Sequence, residues 1–230
     1  MPDIFKMDDA TYRIENEFVR FFLVVGNEKA ALIDSGFNCA DAKSIAASLT
    51  DKLVILINTH GDGDHTSGTG AFNEIYMTEE DFYGCGVAER FPEVKLCKIG
   101  DGEEFDLGGR TLRIITIPGH TDGSVAILDV ENRRLFSGDS VQNGDIFMFG
   151  EKRNPEQFEA SLNKLIAIRS EYDSIVASHS EPVLAADYAE KVLESWLEVR
   201  NSGKEYPVID MHGSKVHSCK GAHCGFFLAI

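Results

Sequence analysis

The chain has 230 residues, 43% of them hydrophobic and 26% charged, enough apolar material for a sizeable core and an ordinary charge load for a soluble protein. A net charge of −16, from 38 acidic and 22 basic residues, repels nucleic acid and anionic membrane surfaces at long range. No run of about 18 apolar residues occurs, and Met1 to Asp9 shows neither the basic nor the apolar region of a secretory signal. The five cysteines, at 39, 85, 97, 219 and 224, are odd in number and irregular in spacing, which fits reduced thiols better than a disulfide framework. The expectation is a cytoplasmic protein that acts on a small-molecule substrate, with no nucleic acid and no membrane as partner. A homodimer is left open.

In chain order, residues 11–25 carry two β-like runs, Gly26-Asn27-Glu28 turns the chain, and Lys29 to Asp34 returns it as a hairpin. Ala40 to Leu49 has the small, helix-favouring composition of a short helix. The apolar run Leu53 to Ile57 suits a strand covered on both faces. A helix is expected from Thr66 or Ser67, a strand at 74–77, and a helix start at Thr78 with acids in its first turn. Short strands follow at 94–99, 103–106, 110–117, 124–128 and 134–136. Asn154-Pro155-Glu156 opens a helix to about Arg169. Ser174 to Ala177 is a last buried strand, and a long helix is expected over about 182–200. Near the end, a loop and a terminal strand at Phe226 to Ala229 complete the reading.

The chain's chemistry concentrates after the 53–57 run. Thr59-His60-Gly61-Asp62-Gly63-Asp64-His65-Thr66 places four metal-ligand side chains within six residues, where a buried strand stops. Glycines 61 and 63 let the backbone turn there. In open α/β sheets this edge is where ligands bind. His120, Asp139 and His179 occupy the same context, each following an apolar run and set off by Gly or Ser. A lone His after a strand is more often a polar cap than a ligand. Four such strand ends, carrying only His and Asp, point instead to one shared metal cavity.

Taken together these residues resemble the metallo-β-lactamase superfamily. Its pattern His-x-His-x-Asp-His is met at 60–65 with Asp62 in place of the second His, followed by one His, one Asp and one His. His120 lies in Pro118-Gly119-His120-Thr121-Asp122-Gly123-Ser124, which is similar to a glyoxalase-II-type loop, and Asp139 lies in Ser137-Gly138-Asp139. The resemblance spans about residues 12–200. It implies an α/β (α+β) fold, a four-layer αββα sandwich over 1–205, with 206–230 as a His/Cys-containing tail packed on the same domain. It also implies that His60, Asp62 and His120 hold one metal, that Asp64, His65 and His179 hold a second, and that Asp139 bridges them. Local geometry agrees, because positions 60 and 62 of an extended loop point one way while 64 and 65 diverge as a helix begins.

The implied cofactors are two divalent metal ions, zinc first, with iron or manganese as alternatives. The implied activity is hydrolysis of a small acyl ester, thioester or lactone by a metal-bridging hydroxide, with Asp64 as catalytic carboxylate orienting that water or passing on its proton. No Gly-x-Ser-x-Gly nucleophile elbow is present. Asp62 keeps two alternatives in view. Flavodiiron oxygen and nitric-oxide reductases carry Glu at the matching position and use iron, which suggests a di-iron redox protein with a separate flavin donor. A metal-binding protein with a degenerate site is the other. The tail from His212 to Cys224 packs three His and two Cys into thirteen residues, and it is read as a loop, as a separate metal site, or as an element folded over the active site.

Overall fold

The computed structural model describes residues 2–230. The N-terminal residues fold as a meander of β1 (Asp3–Asp8), β2 (Thr11–Asn16), β3 (Val19–Val25) and β4 (Lys29–Ile33). The same sheet continues in parallel through β5 (Leu53–Ile57), β6 (Glu74–Met77) and β7 (Lys95–Lys98). Parallel neighbours require crossovers. These are α1 (Ala42–Leu49), the single-turn α2 (Gly63–Thr66), and the pair α3 (Glu79–Gly84) and α4 (Val87–Arg90).

A second sheet has six strands: β8 (Glu104–Asp106), β9 (Thr111–Thr116), β10 (Val125–Asp129), β11 (Arg134–Phe136), β13 (Ser174–Val176) and β14 (Val183–Ala185). Two helices lie beside it, α5 (Pro155–Ala167) and α6 (Tyr188–Asn201). The side chain of Asn154 accepts from the N–H groups of Glu156 and Gln157, and Pro155 takes the first position of α5, where its missing N–H costs nothing.

Period-two alternation then sorts the apolar side chains into three layers. From β3, Phe21 and Leu23 turn outward onto Ala42 and Ala46 of α1 and Phe82 of α3, while Phe22 and Val24 turn inward. From β10, Val125 and Ile127 meet that inward face, and Ala126 and Leu128 turn outward onto Phe158, Leu162 and Trp196 of α5 and α6. Helix, sheet, sheet, helix is the order of layers. The αββα sandwich expected from the sequence is the fold.

A third, four-stranded sheet has the order β12-β17-β16-β15, from β12 (Asp145–Met148), β15 (Val208–Met211), β16 (Ser214–Lys220) and β17 (Gly225–Ala229). The tail was expected as loop and terminal strand; it also forms β15 and β16. Phe226 is buried, its ring 5.1 Å from that of Trp196, and Cys219 and Cys224 join the same core. The tail histidines are dispersed: His217 bonds the Tyr206 carbonyl, His223 faces Glu194, and His212 stacks on Phe147.

Two further expectations shift. The helix expected over 182–200 starts at Tyr188, because Val183–Ala185 pair with β13 as a strand instead. The helix expected from Thr66 or Ser67 begins earlier, at Gly63, after an extended Asp62, so Asp64 and His65 lie inside it. The run at 3–8 pairs as β1 although its exposed residues carry no alternating signal.

Candidate metal centre

Strand direction brings the candidate residues together. In the first sheet β4 and β5 run in parallel, so Asp34 and the 59–65 loop leave at the same edge. In the second, β11 parallels β13, and β10 is antiparallel to both β9 and β11. The ends of β9, β11 and β13 therefore deliver His120, Asp139 and His179 to one edge. All seven residues read from the sequence converge there, in two groups: His60, Asp62 and His120, and Asp64, His65, Asp139 and His179.

The groups share Asp139. Its Oδ2 lies 4.0 Å from His60 Nε2, 3.7 Å from His120 Nε2 and 3.2 Å from His179 Nε2, and its Oδ1 lies 3.2 Å from His65 Nε2. Asp62 Oδ2 is 3.6 Å from His60 Nε2 and 3.3 Å from His120 Nε2. Asp64 Oδ2 is 3.6 Å from His65 Nε2 and 3.3 Å from His179 Nε2. The Nε2 atoms of His60, His65 and His120 and Oδ1 of Asp139 are buried with no hydrogen-bond partner. Such atoms cost free energy unless something satisfies them. Imidazole nitrogens and carboxylates aimed at common points fit divalent cations, so the residues present suit the metals that the resemblance implies.

The far side of each ring is already committed. The Nδ1–H groups of His60, His65, His120 and His179 face Thr59 Oγ1 at 3.0 Å, Asp34 Oδ2 at 2.8 Å, the Phe147 carbonyl at 3.0 Å and the Phe18 carbonyl at 2.9 Å. Each acceptor fixes one proton on Nδ1 and leaves Nε2 aimed into the centre, which is how imidazoles are oriented toward metals. Phe147 belongs to β12. Ile146 and Met148 take the core role, and the Phe147 backbone steadies a ligand.

Four supporting residues escaped sequence reasoning. Asp34 accepts from Thr59 N–H and Thr59 Oγ1–H, both at 2.7 Å, as well as from His65. Asp81, fully buried, accepts from Gly61 N–H, Gly123 N–H and Thr121 Oγ1–H at 2.8, 2.7 and 2.6 Å, joining the metal loop to the His120 loop. A side chain at Gly123 would meet Thr78 Oγ1 at 2.1 Å, so only glycine lets those loops close up. Arg20 donates to the carbonyls of Ala177 and Ser180 and so braces the strand end that carries His179. The fourth is Arg153, whose Nη2 donates to Asp62 Oδ2 at 2.6 Å. Asp34 had a faint signal, a carboxylate at a strand end before Ser-Gly; the other three had none.

Electrostatics match a cation site. Burial pushes the Asp139 and Asp62 carboxyls up, but the neighbouring imidazoles outweigh it: His179 and His65 hold Asp139, and His120 and His60 hold Asp62, well below the usual carboxylate range. Burial pushes His179 down, yet Asp139 and Asp64 raise it to about 10. His65 is likewise raised, against burial, by Asp139, Asp64 and Asp34. The carboxylates are ionised and concentrated, and cations are what they favour.

Comparison with known proteins agrees with this arrangement. The model of the metallo-beta-lactamase superfamily matches residues 16–206. A hydroxyacylglutathione hydrolase of Synechococcus sp. (strain JA-2-3B'a(2-13)) is 32% identical over 119 residues, 52% of this chain and 46% of the relative. An atrochrysone carboxyl ACP thioesterase of Claviceps purpurea (strain 20.1) is 33% identical over 100 residues, 43% of this chain and 31% of the relative. The chain thus spans half or less of the length of these relatives. Among solved structures, a metallo-beta-lactamase from Pontibacter korlensis superposes with a TM-score of 0.71 at 16% identity, covering 84% of this chain and 97% of that one, a likeness of fold. With the family model matched over most of its length and seven ligand-type side chains at the shared sheet edge, the chain belongs to the metallo-beta-lactamase superfamily.

Proposed function

We propose that this protein is a binuclear metal-dependent hydrolase of a small acyl thioester or ester. The observation that carries the reading is the pair of ligand groups meeting at Asp139, with buried Nε2 atoms that have no other partner. Divalent ions bound there supply a Lewis acid and acidify coordinated water. His60, Asp62 and His120 would hold one ion, and Asp64, His65 and His179 the other, with Asp139 shared between them. Asp64 is the carboxylate suited to proton work: its side chain keeps 22% exposure, and Oδ2 faces only imidazoles. It orients the attacking water and receives its proton, which it can return to the leaving thiolate or alkoxide.

The thioester preference rests on the Pro118-to-Ser124 loop and on two relatives whose names denote hydroxyacylglutathione hydrolysis and thioester cleavage. Zinc is proposed as the native metal and the cytoplasm as the location, since both suit imidazole-carboxylate ligands and unpaired cysteines. The test is a panel of acyl thioesters, simple esters and lactones given to zinc-loaded protein and to Asp64→Asn. The reading expects thioester turnover that a chelator abolishes and zinc restores, and a loss of about 10²-fold or more in kcat for Asp64→Asn. Chelator-insensitive turnover, or full activity in Asp64→Asn, would count against it.

A further inference from the structure

Asp62 is this chain's departure from the family pattern, and it has a partner that the pattern does not require. Arg153 sits between β12 and α5. The next residue, Asn154, donates its N–H to the carbonyl of Gly119 beside His120, which pins the segment to the centre. The Arg153 side chain is only 13% exposed, and its buried Nε has no hydrogen-bond partner. Its Nη2 lies 2.6 Å from Asp62 Oδ2, the same oxygen that stands 3.3 Å from His120 Nε2 and 3.6 Å from His60 Nε2.

Counting charges shows what this does. Three imidazoles would make a neutral ligand group. Here two imidazoles and one carboxylate make a group of −1, and Arg153 returns it to zero. Besides the shared Asp139, the other group has two imidazoles and the Asp64 carboxylate, a charge of −1 to which no Lys or Arg is paired among the described residues. A divalent ion on Asp62 Oδ2 would stand one coordination bond and one hydrogen bond from a guanidinium. Over so short a span, the repulsion between a divalent ion and a guanidinium at an effective dielectric of about 20 is worth well over roughly a thousandfold in affinity. The benefit of orienting a ligand through such a contact is about 10–100-fold. Repulsion wins.

We propose that Arg153 is a positioning residue that makes the two halves of the centre unequal: it holds Asp62 in place and weakens cation binding by the His60/Asp62/His120 half, leaving the Asp64/His65/Asp139/His179 half as the tight one. The inference rests on the proposed binuclear reading.

The experiment is a competition titration of the full metal-stripped chain with zinc alone, against a chromophoric chelator. Wild type is expected to bind two ions with dissociation constants at least 100-fold apart. Arg153→Gln keeps a donor to Asp62 but removes the charge, and it is expected to tighten the weaker site at least tenfold. Arg153→Lys keeps the charge and is expected to leave the separation as in wild type, which a purely structural role would not do. Circular dichroism checks that each variant is folded, and His60→Ala assigns the weaker site by deleting it. A weaker site that is unchanged or looser in Arg153→Gln, or equal affinities in wild type, overturns the role of Arg153 while leaving a two-metal centre standing. Failure of wild type to bind any zinc overturns both.

Discussion

Asp34 and Asp81 illustrate how much of the centre depends on residues that touch no substrate. Asp34 fixes the His65 ring and, through Thr59, the His60 ring. Asp34→Ala is expected to lower zinc affinity about 10–100-fold, read by the same chelator competition. Asp81→Ala leaves three buried donors unpaired, and urea unfolding should show a loss of about 3 kcal/mol or more. Far from the centre, Asp8 accepts from Arg134, Ala10 N–H and Thr11 Oγ1–H; burial pushes its carboxyl up, and these contacts bring it below its usual value. A depressed carboxyl adds stability that is present above the unfolded value of about 4 and is lost as pH falls through the folded one. Asp8 is partly exposed, so the gain is about 1 kcal/mol or less. Asp8→Asn should be less stable than wild type at pH 7, with the gap closing below about pH 3; a gap constant across that range would refute the assignment.

At the scale of elements, the candidate ligands were legible because each stands at a strand end, and Gly or Ser marks where the strand stops. His60, His120, Asp139 and His179 needed no distances to be grouped. Their supports were illegible because each acts across the fold: Arg20 reaches carbonyls at 177 and 180, and Arg153 reaches position 62. The tail was misread for a related reason. β15 and β16 pair locally as a hairpin across His212-Gly213, but β17 also pairs with β12, 80 residues earlier, and no local pattern announces that partner. The pairing has a functional consequence, because the Phe147 carbonyl that steadies His120 lies on β12. Phe226→Ala, which opens the Trp196 contact, should cost about 3–5 kcal/mol in urea unfolding. Removing 206–230 should lower zinc occupancy of the His60/Asp62/His120 half before that of the other.

The molecule as a whole places its chemistry at one edge of a packed frame. Three apolar layers hold the two sheets in register, and the loops at one shared edge carry every candidate ligand. At the opposite end of β3 and β9, Arg110 bridges the sheets, buried against Asp129 and bonded to Thr11 Oγ1 and the Ala10 carbonyl. The thiols follow the same division. Cys39, Cys219 and Cys224 are buried, and burial pushes Cys39, Cys85 and Cys224 up to about 12. Ellman's reagent at pH 8 should therefore find five thiols in denaturant but, in the native protein, rapid reaction at Cys97 alone.

The most direct measurement is zinc bound per chain at saturating free zinc, by elemental analysis, for wild type, His60→Ala and His179→Ala. Two ions in wild type and one in each variant is the result expected from two ligand groups meeting at Asp139. No bound zinc in wild type, or two ions retained in both variants, would contradict the account.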